Sequence, residues 1–111
     1  MAQSPGSVIT EINVDELEEL SRAGGARVLD VREDWEFKRG RVPGAISLPL
    51  SQLPGRLPEL ASDKPYAVIC EHGSRSLVGA DFLLRSGLPG AVSVRGGTSA
   101  WVRSGRPLEK D

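Results

Sequence analysis

The sequence predicts an α/β fold: a single domain with a central, mostly parallel five-stranded sheet and helices on both faces. Two observations carry this. Short β-prone runs alternate with helix-patterned segments, the order that builds βαβ units and a parallel sheet. At 111 residues the chain is long enough to bury one core and too short for a second.

Taken in order, Met1 to Ser7, with Pro5 and Gly6, reads as a flexible N-terminal tail of the kind a cloning remnant leaves, with the domain covering 8–108 and a short C-terminal tail at 109–111. Val8 to Ile12 is the first strand. Asn13 and Glu16 form a capping box, and Val14, Leu17 and Leu20 then make one apolar helical face that stops at Gly24-Gly25. Arg27 to Val31 is a second strand, too continuously apolar in its middle for an exposed edge. Asp30, at its end, reads as a turn or backbone-capping group. Glu33 to Lys38 is a short helix broken at Gly40, and Pro43-Gly44 turns into a third strand, Ala45 to Leu48. Leu50 to Leu60 holds Pro54, Gly55 and Pro58, which predicts a loop with at most a short helix. Tyr66 to Cys70 is the fourth strand. A helix is expected from Leu77, with Leu77, Ala80, Leu83 and Leu84 as its apolar face and Gly87 as its stop. Ala91 to Val94 is the fifth strand, and Gly96-Gly97 leads into a short helix with Ala100 and Trp101.

Composition narrows the function. Fourteen basic against fifteen acidic residues leave a net charge of -1, which argues against nucleic-acid or membrane partners. Acids crowd the first helix, and Arg85, Arg95, Arg103 and Arg106 lie in a segment without acids; both read as solvated faces. A single cysteine excludes an internal disulfide and a second resolving thiol, and one Cys with one His leaves no zinc set, so no metal or cofactor is expected. No long apolar run marks a secretory signal or a membrane span, and a reducing cytoplasm is the expected compartment.

The chemistry concentrates in Tyr66 to Ser76, where an apolar strand ends at Cys70 and the polar stretch Glu71-His72-Gly73-Ser74-Arg75-Ser76 precedes a helix. Free backbone N–H groups and the positive end of the helix dipole stabilise an anion there, so Cys70 should ionise more readily than a free thiol. A buried, inert thiol is the alternative. Gly73 permits a backbone in which consecutive N–H groups curl round one anionic centre, and Ser74, Arg75 and Ser76 add donors. His72 is expected to face solvent or substrate, since a thiolate held by donors needs no base. Two chemistries suit such a loop: attack on a phosphoryl group, and sulfur transfer through a cysteine persulfide. Four residues separate Cys70 from Arg75, against five in the tyrosine-phosphatase signature, and Ile69 stands where that signature has His. The smaller ring favours sulfur.

The sequence resembles a single-domain rhodanese, a sulfurtransferase, from Val8 to Pro107. The stretch Val28-Leu-Asp-Val-Arg-Glu33 through Glu36-Phe37 and Pro43-Gly44-Ala45 resembles the family's N-terminal signature. Cys70-Glu-His-Gly-Ser-Arg75 resembles its active-site loop, and Gly96-Gly97-Thr-Ser-Ala-Trp101 with Gly105 and Pro107 its C-terminal signature. The resemblance implies Cys70 as the sulfur-carrying nucleophile in a ping-pong cycle, with Asp30, Arg32, Glu36 and Trp101 as scaffold around the loop. It implies as partners a small donor such as thiosulfate or a persulfide, a cyanide, thiol or protein-cysteine acceptor, and a persulfide-carrying or sulfur-accepting protein. The rival readings are a non-catalytic binding or regulatory module on this fold, and a Cys-dependent phosphatase or arsenate reductase. Two departures stand out. Arg41-Val42 replaces the family's His-Ile, a local surface change, and Glu71 follows the cysteine where many thiosulfate-using members have a basic or neutral residue. A carboxylate at that mouth should repel a dianionic donor and favour a persulfide.

Overall fold

A computed structural model describes residues 9–111. Five parallel strands, β1 (Glu11–Ile12), β2 (Arg27–Asp30), β3 (Ile46–Ser47), β4 (Tyr66–Ile69) and β5 (Val92–Val94), form one sheet in the order β1-β5-β4-β2-β3. The helices are α1 (Val14–Arg22), α2 (Asp34–Arg39), α3 (Leu53–Arg56), α4 (Ser74–Arg85) and α5 (Gly97–Arg103). Central β4 is buried along its whole length, as a strand covered on both faces must be.

Alternation along the strands divides the core. Leu29, Tyr66, Val68 and Cys70 point to one face, under Leu53 of α3 and Ala80 and Leu83 of α4. Val28, Ala67, Ile69 and Val94 point to the other, under Leu17 of α1 and Trp101 of α5. Each fully buried aliphatic side chain contributes about 1.5–3 kcal/mol by leaving water. Cys70 follows Val68 by two residues and shares its face, so its thiol is aimed beneath the start of α4.

Apart from one-residue differences at the ends of the other strands and of α2, the boundaries shift in four places. Among the described residues of the first expected strand, Glu11–Ile12 form β1 and the Thr10 carbonyl accepts from Ser93 N–H at 2.9 Å, while Val8, like the expected tail at 1–7, lies outside the described residues. The stretch 50–60 is more helical than expected: a 3-10 turn at Leu50–Gln52, α3, and another 3-10 turn at Leu57–Glu59. Pro54 and Pro58 occupy first-turn positions, where a missing N–H costs no helical bond, so they start turns instead of ending them. α4 begins at Ser74, three residues before Leu77, because Gly73 caps it with φ 108° and lets the chain turn at once into the helix. At the C-terminus, Arg41 and Glu109 exchange backbone hydrogen bonds of 3.0 and 2.8 Å, and Asp111 reaches Arg41 at 2.7 Å, so the residues expected as a tail join the domain. Among the described residues no helix is long and apolar enough to cross a membrane.

α4 lies close on the sheet because Gly79 faces it. A Cβ there would stand 3.1 Å from Val68 Cγ1 and 3.5 Å from Val31 Cγ1. Gly79→Val should lift α4 and lower stability by about 1–3 kcal/mol, measured as a lower urea midpoint.

Candidate active site

Cys70 is 1% exposed and sits one residue beyond the end of β4. Its sulfur accepts hydrogen bonds from the N–H groups of Gly73 at 3.1 Å and Ser76 at 3.3 Å, and the Ser76 hydroxyl lies 3.5 Å away. Two backbone donors converge on one atom because Gly73, with its positive φ, folds the loop back before α4 starts. The ring is thus smaller than the full run of loop amides: the third to sixth residues after Cys70, Gly73 to Ser76, both close it and open the helix. His72 and Ser74 point outward and are exposed, and His72 makes no hydrogen bond to Cys70.

A second element completes the ring from behind. The N–H groups of Thr98 and Ser99, at the start of α5, donate to the carbonyls of Cys70 (2.9 Å) and Glu71 (3.0 Å), and the Thr98 hydroxyl adds a bond to Cys70 O at 3.2 Å. These bonds fix the first two peptides of the loop, from which Gly73 turns the chain toward the sulfur. Gly97 makes the approach possible. A Cβ on it would collide with the Cys70 carbonyl oxygen and stand 2.6 Å from that of Glu71.

Five charged residues expected near the site are arranged in three ion pairs. Arg75 is held by Glu36 of α2 through two bonds of 2.8 and 3.0 Å, the fork geometry that suits guanidinium and carboxylate. This bond to Arg75 holds the Glu36 carboxyl far below its ordinary range, at about 2, against the opposing effect of its burial. Asp30 is fully buried and accepts from the backbone N–H, Nε and Nη2 of Arg32, whose Nη2 also donates to the Gly40 carbonyl. Burial works against the Arg32 charge, but Asp30 outweighs it and raises its pKa above the ordinary value. Breaking such a pair costs about 3–5 kcal/mol because the remaining charge stays buried. Glu71 reaches back to Arg32 Nη1 at 3.2 Å, so its carboxylate is half-buried and partly neutralised. Both residues line a cavity of about 370 Å³ between α2 and α5. Trp101 is buried and donates Nε1–H to the Pro107 carbonyl at 2.8 Å, anchoring the end of α5.

The structure therefore brings Cys70, Gly73 and Ser76 into contact, places Arg75 and Glu71 one ion pair away, and leaves His72 and Ser74 outside. Sequence reasoning missed Ser93. This fully buried β5 residue has its hydroxyl 2.8 Å from that of Ser76, and the one signal for it was a serine between the valines of an apolar strand.

This fold and loop define a class of α/β domain that presents a single thiol, at a strand end, inside a ring of backbone donors. The family model of the rhodanese-like domain matches residues 13–104, and the chain belongs to that family. It is 29% identical over 102 residues to a protein of Allochromatium vinosum named sulfurtransferase, covering 91% of this chain and 95% of that one. It is 30% identical over 95 residues to a protein of Shewanella oneidensis named thiosulfate sulfurtransferase GlpE, covering 86% and 94%. Among solved structures, a rhodanese-related protein of Thermoplasma volcanium superposes with a TM-score of 0.85 at 38% identity, over 92% of this chain and 99% of that one.

The Glu36–Arg75 pair gives a prediction with a definite sign. A carboxyl whose pKa falls on folding, here to about 2, stabilises the fold above its unfolded value near 4.5, and that stabilisation is lost as pH falls through the folded value. Glu36→Gln should cost roughly 1–2 kcal/mol at neutral pH. The gap between variant and unaltered protein should close as pH approaches 2, read from urea denaturation across a pH series.

Proposed function

We propose that the protein is a sulfurtransferase that carries sulfane sulfur on Cys70 as a persulfide. The observation that supports this most directly is the pair of N–H donors converging on the Cys70 sulfur, with the Ser76 hydroxyl 3.5 Å away, a cradle spaced for one atom. The Arg75 guanidinium, which a phosphoryl site needs for its oxygens, is committed to Glu36. The sulfurtransferase names of relatives aligned along most of their length agree with this reading.

In the first half-reaction the Cys70 thiolate attacks the outer sulfur of the donor. A new S–S bond forms to Cys70, the donor's own bond to that sulfur breaks, and its electron pair leaves with sulfite from thiosulfate or with a thiolate from an organic persulfide. The ring's donors hold the negative charge on the terminal sulfur. In the second half-reaction cyanide or a thiolate attacks that sulfur, and the Cys70–S bond breaks to return the thiolate. The intermediate is covalent, so donor and acceptor need not be bound together, the basis of ping-pong kinetics.

Glu71 sets the donor preference. Its pairing with Arg32 softens the repulsion expected from sequence, yet Arg32 is already paired with Asp30, so the three groups together leave one excess negative charge beside the cavity. A dianionic donor is repelled there more than an organic persulfide, whose reacting group carries a single charge.

Incubation with thiosulfate or a low-molecular-weight persulfide should add one sulfur to the intact mass, and Cys70→Ser should show none; failure of every donor to add sulfur overturns the reading. Glu71→Gln should lower the KM for thiosulfate about two- to tenfold at low salt, because Asp30 already pairs with Arg32 and the Glu71 charge is the excess one in the cluster. The difference should shrink as ionic strength rises, measured from initial rates with cyanide as acceptor. Glutamine is the informative replacement, since an arginine at position 71 would confront Arg32.

A further inference from the structure

We propose that Ser93 is a positioning residue that acts on Cys70 through Ser76, by supplying the hydrogen bond that lets the Ser76 hydroxyl turn to a charged sulfur. The inference rests on the thiolate and persulfide chemistry assigned to Cys70 above.

The placement follows from register. Ser93 pairs with Val68 across the parallel β4–β5 ladder and therefore faces α4, as Val68 and Cys70 do. It is fully buried, and its Oγ lies 2.8 Å from Ser76 Oγ, its side-chain partner among the described residues. A buried hydroxyl gives its proton to some acceptor, and Ser76 Oγ is the one in reach, so Ser93 donates and Ser76 accepts. The Ser76 proton then has two destinations: the Gly73 carbonyl at 3.1 Å and the Cys70 sulfur at 3.5 Å.

These distances define two arrangements of one set of atoms. While Cys70 is a thiol, its S–H points at Ser76 Oγ and the Ser76 O–H points at the Gly73 carbonyl. Once the sulfur is charged, it can only accept. The Ser76 O–H swings to it and leaves the Gly73 carbonyl, which as a helix N-cap accepts the first intrahelical bond in any case. Ser76 Oγ has then lost the S–H it accepted. The Ser93 O–H keeps that oxygen satisfied and polarises the hydroxyl that faces the anion. No proton travels along the pair, and the two hydroxyls only reorient. Removing Ser93 hence penalises the charged state more than the neutral one, which a purely structural serine would not do.

The charged and titratable groups around the sulfur are Arg75 of α4 with Glu36 of α2, Asp30 at the end of β2 with Arg32 just beyond it, and Glu71 and His72 of the loop. The single cysteine permits a direct test by titrating the ultraviolet absorbance of the thiolate, with Cys70→Ser subtracted as the blank for the tyrosine. Ser93→Ala should move the titration midpoint to higher pH by about half a unit to one unit, a three- to tenfold smaller charged fraction below the midpoint. Ser76→Ala should move it further, and Ser93→Ala added to Ser76→Ala should move it no more, since Ser93 acts only through Ser76. Ser93→Thr retains the hydroxyl and should stay near the unaltered profile while Ser93→Val shifts, a comparison that survives if Ser93→Ala folds poorly. A midpoint that Ser93→Ala leaves unmoved, or moves equally without Ser76, overturns the relay alone. Absence of any titrating thiolate in the unaltered protein overturns the reading of Cys70 and the relay with it.

Discussion

The site depends on a backbone clamp between two segments far apart in the chain. The N–H groups of Thr98 and Ser99 take the carbonyls of Cys70 and Glu71, and this fixes the first two peptides of the loop. From there the left-handed Gly73 turns the chain so that its own amide and that of Ser76 reach the sulfur. The clamp needs Gly97, whose missing side chain leaves room for the Cys70 carbonyl. The anion cradle at the end of β4 is therefore built as much by the start of α5 as by its own sequence.

Ion pairs brace this clamp from the opposite side. Glu36 holds Arg75 in the first turn of α4, and Asp30 holds Arg32, which in turn holds Glu71 and the Gly40 carbonyl. The Glu36–Arg75 pair directly, and Arg32 through its bonds to Glu71 and Gly40, join the α2 side of the fold to the loop. The guanidinium groups act here as rigid forks that set distances between elements, and little free positive charge is left for a substrate. Anion stabilisation falls to neutral donors, the Gly73 and Ser76 amides and the Ser76 hydroxyl, which are arranged before any substrate arrives. The two amides need no rearrangement as charge develops on the sulfur, and the Ser76 hydroxyl has only to rotate toward it.

Much of this was legible beforehand because it depends on local order. The strand to Cys70, the glycine that folds the loop and the count of residues to Arg75 are adjacent in sequence, and their chemistry follows from adjacency. The capping box at Asn13 formed as read, with both of its bonds at 2.8 Å. The start of α4 was misjudged because Ser74, Arg75 and Ser76 carry no apolar periodicity, while the physical signal was the left-handed Gly73 before them. Residues 50–60 were misjudged for a related reason: proline disrupts helix interiors, and only position decides whether it starts a turn or stops one.

The sequence by itself determined the alternation of strand and helix, the burial of the central strands, and a lone thiol at a strand end before a helix, since each follows from side-chain period or chain neighbours. Tertiary structure alone decided which charges are free. Glu71 read as an open carboxylate until Arg32, 39 positions away, closed on it, and Ser93 had no evident part until the β4–β5 register set it beneath Ser76. The reason is physical: hydrogen bonds and ion pairs act over a few ångströms, and chain separation carries no information about which distant residues the sheet brings within that range.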